Sequence, residues 1–131
     1  MSIATKENDR RPAHPRLTFL MVEKTWGEAV GEQVRDIVGD EPHGMVILGS
    51  RGRSRRMAAE FNTYSSFVSV GSYLVMEDTI VNGFPVWADF GPGPAEAVKG
   101  IVETRGDWAS DVTMDKYKLT FNPGGFIKRM S

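Results

Sequence analysis

Short apolar runs alternate with segments of helical period along this chain, and the alternation constrains the fold more than any other feature. Three apolar runs rich in strand-forming side chains span residues 17–22, 45–48 and 72–76. Apolar residues recur at helical spacing over residues 27–38, over residues 54–68 and from Pro94 onward. This order predicts an α/β fold with a mostly parallel sheet and helices on both of its faces.

The C-terminal part of the chain returns to a strand-like pattern after Gly106. Residues 108–113 form one candidate strand. Residues 119–121 and 126–128 flank Asn122-Pro123-Gly124-Gly125, a sequence that is typical of a tight turn. Together these segments predict an antiparallel C-terminal hairpin.

The length and composition fit one globular domain. The chain has 131 residues, of which 40% are hydrophobic and 25% are charged. A chain of this length buries roughly two-thirds of its unfolded surface. Pro12 and Pro15 disfavour helix near the start. We therefore expect an extended lead-in over residues 1–16 and a single domain over residues 17–131.

Charge and cysteine content exclude several classes of function. A net charge of −1 gives no overall attraction to nucleic acid or to an anionic membrane. The chain has no cysteine, which excludes disulfides and thiol catalysis. No apolar run approaches the ~20 residues that span a bilayer, and the charged N-terminal residues do not resemble a signal peptide. The expected location is cytoplasmic.

Polar segments follow the second and third predicted strands. Gly49-Ser50-Arg51-Gly52-Arg53 follows the run at 45–48, and Glu77-Asp78 follows the run at 72–76. Ligands of open α/β sheets bind beyond the carboxyl ends of the strands, so we expect both segments to open onto one crevice. Adjacent carboxylates repel each other unless a cation compensates, and carboxylate oxygens suit Mg²⁺. The same two residues are also compatible with an acidic pair that is simply solvated and binds no metal.

Arginines are concentrated where the second predicted helix begins. They are Arg51, Arg53, Arg55 and Arg56. Positive charge at a helix N-terminus opposes the helix dipole, which indicates a compensating role such as binding an anionic substrate or phosphate. The same residues would also suit a solvated first turn.

A longer set of motifs resembles the cephalosporin hydroxylase family, also described as rhamnosyl O-methyltransferase-like. The resemblance begins near Arg11 and depends mainly on residues 68–98 and on a motif close to the C-terminus. The matching segments are His14-Pro15-Arg16-Leu17-Thr18-Phe19-Leu20, Val46-Ile47-Leu48, Val68-Ser69-Val70-Gly71-Ser72-Tyr73-Leu74-Val75-Met76-Glu77-Asp78-Thr79, Val81-Asn82-Gly83, Phe90-Gly91-Pro92-Gly93-Pro94, Glu96-Ala97-Val98 and Leu119-Thr120-Phe121-Asn122-Pro123-Gly124-Gly125-Phe126.

The resemblance implies a partial Rossmann-like methyltransferase fold and roles for the strand-end residues. Glu77 and Asp78 match metal ligands, and Gly49, Ser50 and Arg51 match a loop that lines the cofactor pocket. The implied cofactors are S-adenosylmethionine and Mg²⁺, and the implied substrate is a sugar or a natural-product small molecule. The family has a further metal ligand, an aspartate, at the position of Gly49.

The chain also departs from the family at its N-terminal side. Family members have an upstream segment with the first strand, a glycine-containing turn and an acidic residue that binds the cofactor ribose. The present sequence starts after that segment. We therefore expect the N-terminal cofactor-binding half to be absent and a sheet edge to be exposed.

Three hypotheses about function remain open at this point. The first is a Mg-assisted O-methyltransferase domain that acts on a small molecule and is truncated or impaired. The second is a non-catalytic remnant of the same fold that acts as an interaction module, with a partner chain or a second copy covering the exposed sheet edge. The third is an anion-binding module that uses the arginine cluster.

Overall fold

The structure, a computed structural model, describes residues 2–4, 13–42, 44–49, 52–116 and 120–131. Its strands are β1 (Ser2–Ala4), β2 (Phe19–Met21), β3 (Val46–Leu48), β4 (Tyr73–Met76), β5 (Trp108–Ser110) and β6 (Phe126–Arg129). Its α-helices are α1 (Glu28–Val38), α2 (Ser54–Tyr64) and α3 (Pro94–Thr104). No helix within the described ranges is both long and apolar enough to cross a membrane.

The strands form a four-stranded sheet of order β3-β4-β6-β5 and a separate pair, β1-β2. β3 and β4 are parallel, and β6 runs antiparallel to both of its neighbours. β3, β4 and β5 therefore point in the same direction. β1 pairs in parallel with β2, so part of the predicted lead-in belongs to a sheet. These features confirm a mixed α/β fold that is consistent with a partial Rossmann-like architecture.

The C-terminal strand has different neighbours from those that the turn sequence predicts. β6 lies between β4 and β5, whereas Thr120 and Phe121 are outside any strand and Leu119 lies outside the described residues. The antiparallel C-terminal pair is thus formed by β5 and β6, and its first strand is Trp108–Ser110 and does not include Thr120 or Phe121. The physical reason is that the turn at 122–125 bonds to the end of β4, where the Met76 N–H donates to the Gly125 carbonyl (2.9 Å).

The core lies between the helices and one face of the four-stranded sheet. The register pairs Leu48 with Met76 and Leu74 with Ile127, so these side chains share a face. Buried residues from every α-helix join the same cluster, namely Val34, Met57, Phe61, Tyr64, Ala97, Val98 and Ile101. All the described α-helices therefore cover one face of the sheet, where the sequence pattern predicts helices on both.

The β3 edge is open in the described part of the chain, although Val75 on the opposite face of the sheet is buried. β3 pairs only with β4 there. Ile47 is 55% exposed and the preceding Met45 is 59% exposed. An edge strand of this kind presents backbone hydrogen-bonding groups and apolar side chains to the surroundings.

Candidate functional site at the strand ends

β3 and β4 end side by side, which brings Gly49 against Glu77. The Glu77 N–H donates to the Leu48 carbonyl (3.0 Å). An ideal Cβ on Gly49 would lie 2.6 Å from Glu77 Oε2, so the carboxylate occupies the space that a side chain at position 49 would need. The segment after β3 and the acidic pair after β4 therefore lie at the same end of the sheet.

The predicted cofactor-pocket residues are only partly placed. Gly49 is exposed at the end of β3. Ser50 and Arg51 lie outside the described residues. Their assignment to a cofactor pocket therefore remains a prediction.

Asp78 and Thr79 are held by the turn at residues 122–125. The Asp78 N–H donates to Asn122 Oδ1 (2.9 Å), and the Thr79 hydroxyl donates to the Pro123 carbonyl (2.9 Å). Thr79 is fully buried. A Cβ on Gly125 would collide with the Met76 carbonyl oxygen, so only glycine allows this close approach. The turn therefore fixes the direction in which the chain leaves β4, a role that the sequence interpretation missed.

The loop over residues 79–93 is organised around Asn82 and Glu96. Asn82 donates its side-chain N–H to Glu96 Oε1 and accepts the Gly91 N–H at Oδ1 (2.9 Å). Glu96 Oε2 accepts the Gly93 N–H (2.8 Å), which caps the start of α3. Burial alone would raise the pKa of Glu96, but the hydrogen bonds from Gly93 and Asn82 outweigh it and lower the pKa. A glutamate three residues after Gly93 is a capping signal that could have been found in the sequence.

Arg53 connects the 79–93 loop to the start of α2. Its guanidinium donates to the Phe90 carbonyl through Nη1 and lies 5.3 Å from the centre of the Phe90 ring. The Ser54 N–H donates to the Pro92 carbonyl (3.0 Å). The loop therefore remains next to the strand ends although it is far from them in sequence.

The rest of the arginine cluster is divided between internal contacts and the surface. Arg56 pairs with Glu60 (3.1 Å) and lies over the Trp26 ring. Arg55 is exposed, and Arg51 lies outside the described residues. Arg53 and Arg56 already have partners within the chain. Two of the four arginines that the anion-binding hypothesis requires are therefore engaged in internal contacts.

A pocket of about 260 Å³ opens beside Asp78, under the 79–93 loop. It is lined by Asp78, Ile80, Val81, Val86, Trp87, Phe90, Pro94 and Phe121. Asp78 is the only ionisable residue among these lining residues. Trp87 and Phe90 pack edge to face, with ring centres 4.9 Å apart.

The donor set at the strand ends does not fit the Mg²⁺ site that the resemblance implies. Within the described ranges, no group of three or more His, Cys, Asp or Glu side chains is arranged to hold a metal ion. Gly49 offers no oxygen from a side chain, and Glu77 Oε2 fills the space where a ligand at that position would begin. Only Glu77 and Asp78 remain of the expected ligands.

The fold is consistent with a partial Rossmann-like α/β class, and comparisons define the family. The model of the Rhamnosyl O-methyltransferase/CmcI family matches residues 2–130. The chain belongs to this family, which confirms the resemblance seen in its motifs.

Curated relatives carry the same description. The chain is 33% identical to the rhamnosyl O-methyltransferase of Mycobacterium leprae (strain TN), over 98% of this chain and 57% of the relative. It is 32% identical to the rhamnosyl O-methyltransferase of Mycobacterium tuberculosis (strain ATCC 25618 / H37Rv), over 97% of this chain and 55% of the relative. The chain thus spans little more than half the length of these relatives. No solved structure shows a significant match.

Proposed function

We propose that this chain forms the acceptor side of an O-methyltransferase site and positions a sugar hydroxyl for methylation. The observation that carries the proposal is the junction of the β3 and β4 ends, where Gly49 lies against Glu77 and the next residue, Asp78, lines a pocket. Family membership supports methyl transfer as the reaction, and the names of the relatives support a rhamnosyl acceptor.

The chain's own contribution to the reaction is to hold the hydroxyl and take its proton. S-adenosylmethionine, when bound, supplies an electrophilic methyl group on a sulfonium sulfur. No hydrogen bond or ion pair within the described residues occupies the Asp78 carboxylate. Asp78 is therefore free to accept the proton of an acceptor hydroxyl that lies beside it. The pocket and the loop hold the acceptor in a reactive orientation.

No step passes through a metal ion, because the described donor set does not fit the expected site. Glu77 directly precedes Asp78 at the end of β4, where its carboxylate lies against Gly49.

The test is methyl transfer to a defined acceptor. The purified chain is incubated with S-adenosylmethionine and methyl α-L-rhamnoside, and mass spectrometry detects methylated product, while calorimetry measures cofactor binding in parallel. Product formation that falls in Glu77→Gln and Asp78→Asn would support the proposal. No product at saturating cofactor and acceptor would overturn it for this chain.

A second candidate function is an interaction module, and the open edge of β3 favours it. Ile47 and Met45 are more than half exposed, and β3 has a pairing partner on one side only in the described residues. A second copy or a partner chain that adds a strand would cover both the backbone groups and these side chains.

Light scattering tests this second candidate directly. We expect self-association that Ile47→Lys reduces, because a charge on the exposed face opposes burial. Val70→Lys serves as a control, because Val70 is also exposed but lies outside β3. Two results together would exclude this candidate function. The chain would remain a monomer at all concentrations, and it would gain no strand when mixed with the upstream segment of a family member.

A further inference from the structure

We propose that Asn122 is a positioning residue for this site, because its side-chain oxygen holds the Asp78 backbone in the conformation that places the Asp78 carboxylate at the pocket. The inference rests on the proposed function for the use of Asp78 as the proton acceptor. It deepens that function by naming the residue that directs Asp78, and this residue lies 44 positions away in the sequence.

The direction of the Asp78 side chain departs from the alternation of β4. Leu74 and Met76 are both fully buried in the core, and side chains two residues apart along a strand face the same side. Continued alternation would therefore place residue 78 in the core and residue 79 outside it. The observed placement is the reverse, because Thr79 is fully buried whereas Asp78 is half-buried and lines the pocket. A change of backbone direction at Asp78 thus creates this part of the site.

The change of direction is a left-handed backbone conformation at one residue. The φ of Asp78 is 58°, whereas Glu77 and Thr79 are not among the residues with positive φ. The left-handed conformation brings the Cβ of a non-glycine residue too close to the next carbonyl oxygen. Such a conformation persists only where the surrounding structure maintains it. A contact near Asp78 must therefore favour it.

Asn122 provides this contact through its side chain. The Asp78 N–H donates to Asn122 Oδ1 (2.9 Å). The N–H groups of Met76, Glu77 and Ile80 all donate to backbone carbonyls instead. A substitution at position 122 therefore removes the hydrogen bond of Asp78 and leaves those of its neighbours in place.

The turn holds Asn122 itself in a defined position. The Asn122 N–H donates to Thr120 Oγ1 (3.0 Å), and the Asn122 carbonyl accepts the Gly125 N–H (2.9 Å). Only the oxygen of a side-chain amide can accept from an N–H donor, so the partner defines the orientation of the amide. Asn122 therefore presents a fixed acceptor to Asp78.

The placement of Asp78 matters because proton transfer depends on geometry. A general base must lie within hydrogen-bond reach of the proton that it takes. A displacement of about 1 Å can lower a rate by about 100-fold. Without the Asn122 oxygen, Asp78 loses the contact that favours its left-handed φ, and its carboxylate moves away from the pocket.

NMR spectroscopy of the isotope-labelled chain tests the inference without any need for turnover. The HN–Hα coupling and the backbone and Cβ chemical shifts of residue 78 report its φ. The native chain and Asn122→Asp should both show left-handed values, because aspartate supplies an oxygen at the same place. Asn122→Leu, which is similar in size but has no acceptor, should lose them. Asn122→Ala removes the acceptor without adding an apolar branch and gives the same test if Asn122→Leu does not fold.

Thr79→Val is the matched control for these variants. It removes the hydrogen bond from the Thr79 hydroxyl to the Pro123 carbonyl, which connects the same two segments, but it leaves the Asn122 oxygen in place. It should be destabilised in urea and still show left-handed values at residue 78. A left-handed φ that persists in Asn122→Leu and Asn122→Ala, or that is lost equally in Thr79→Val, would overturn the inference.

The rate of methyl transfer separates this inference from the proposed function. Asn122→Leu should lower kcat for methyl α-L-rhamnoside about tenfold or more, and Asn122→Asp should recover most of that loss. Thr79→Val should remain within about twofold of the native kcat, because Asp78 keeps its place. An unchanged kcat in Asn122→Leu despite a changed φ would overturn the inference. A φ that follows the Asn122 oxygen in a chain without methyl transfer would support the hold of Asn122 on Asp78 and contradict the proposed function.

Discussion

Single residues at the strand ends determine what this site can do. Gly49 lacks a side chain, and the Glu77 carboxylate occupies the space beside it. Gly125 allows the 122–125 turn to reach β4, and Asn122 in that turn holds the Asp78 backbone. The acidic pair and the importance of Gly49 could be predicted from the sequence. The role of Asn122 could not, because it lies 44 residues from Asp78.

Gly49→Asp should create a cation site. The end of the Glu77 side chain is flexible and can move aside, which would bring a new carboxylate next to Glu77 and Asp78. Carboxylates grouped in this way suit Mg²⁺ and Mn²⁺. We expect Mn²⁺ to bind Gly49→Asp about tenfold or more tightly than the native chain, measured by electron paramagnetic resonance.

The matched control for this prediction is Gly49→Ala. It displaces Glu77 in the same way but adds no oxygen, so it should not gain Mn²⁺ affinity. Equal affinity in the native chain, Gly49→Ala and Gly49→Asp would show that position 49 does not limit metal binding.

Gly125→Ala should destabilise the fold. Its Cβ would meet the Met76 carbonyl oxygen and would also lie 3.1 Å from Thr79 Cγ2. Overpacking of this kind costs about 1–3 kcal/mol of the free energy of unfolding. Urea denaturation measures the change. Gly100→Ala is the control, because Gly100 lies within α3 with nothing within 4 Å of its Cβ, and it should stabilise the chain by up to about 1 kcal/mol.

At the scale of elements, the site depends on loops that are held by hydrogen bonds and contacts to helices and strands. The sequence predicted β3, β4 and α3 well, because apolar runs and Pro94 mark them clearly. It did not predict that β6 would lie between β4 and β5, because strand order depends on contacts between distant segments. It also could not show that Arg53 binds the 79–93 loop.

Arg53→Ala should loosen the 79–93 loop without unfolding the chain. The substitution removes the hydrogen bond to the Phe90 carbonyl and the contact with its ring. Hydrogen exchange should become faster in the loop and remain unchanged in β4. Arg55→Ala, at an exposed neighbouring position, should leave the loop as it is. Identical exchange in the two variants would show that Arg53 does not hold the loop.

At the scale of the whole molecule, the segment after β2 is joined to the main sheet through α2. The Tyr64 hydroxyl donates to the Thr25 carbonyl (2.6 Å), and the Thr25 hydroxyl donates to the buried Glu60 (2.5 Å). This junction connects the β1-β2 pair to the rest of the fold. The helical period predicted that Tyr64 faces the core. Its partner Thr25 lies in an irregular segment, where no sequence pattern predicts the contact.

Stability at alkaline pH should depend on Tyr64. Burial and, to a lesser extent, the Glu60 carboxylate raise the pKa of Tyr64 from 10.0 to about 12. Because the pKa is higher in the folded state, this contribution to stability is complete below pH 10 and is lost as the pH rises toward 12. Urea denaturation as a function of pH should show this loss.

Tyr64→Phe is the control for the alkaline prediction. It should be less stable near neutral pH by about 1 kcal/mol, because the hydrogen bond to Thr25 is lost. It should also be less sensitive to pH in the alkaline range than the native chain. An unchanged dependence on pH would assign the alkaline loss to other groups.

The most direct test of the account is the rate of methyl transfer from S-adenosylmethionine to methyl α-L-rhamnoside in the native chain, in Asp78→Asn and in Asp89→Asn. Asp89 lies in the same loop but does not line the pocket. The account predicts transfer by the native chain, a decrease of about 100-fold or more in Asp78→Asn, and no change in Asp89→Asn. No transfer by the native chain, or equal rates in the two variants, would contradict it.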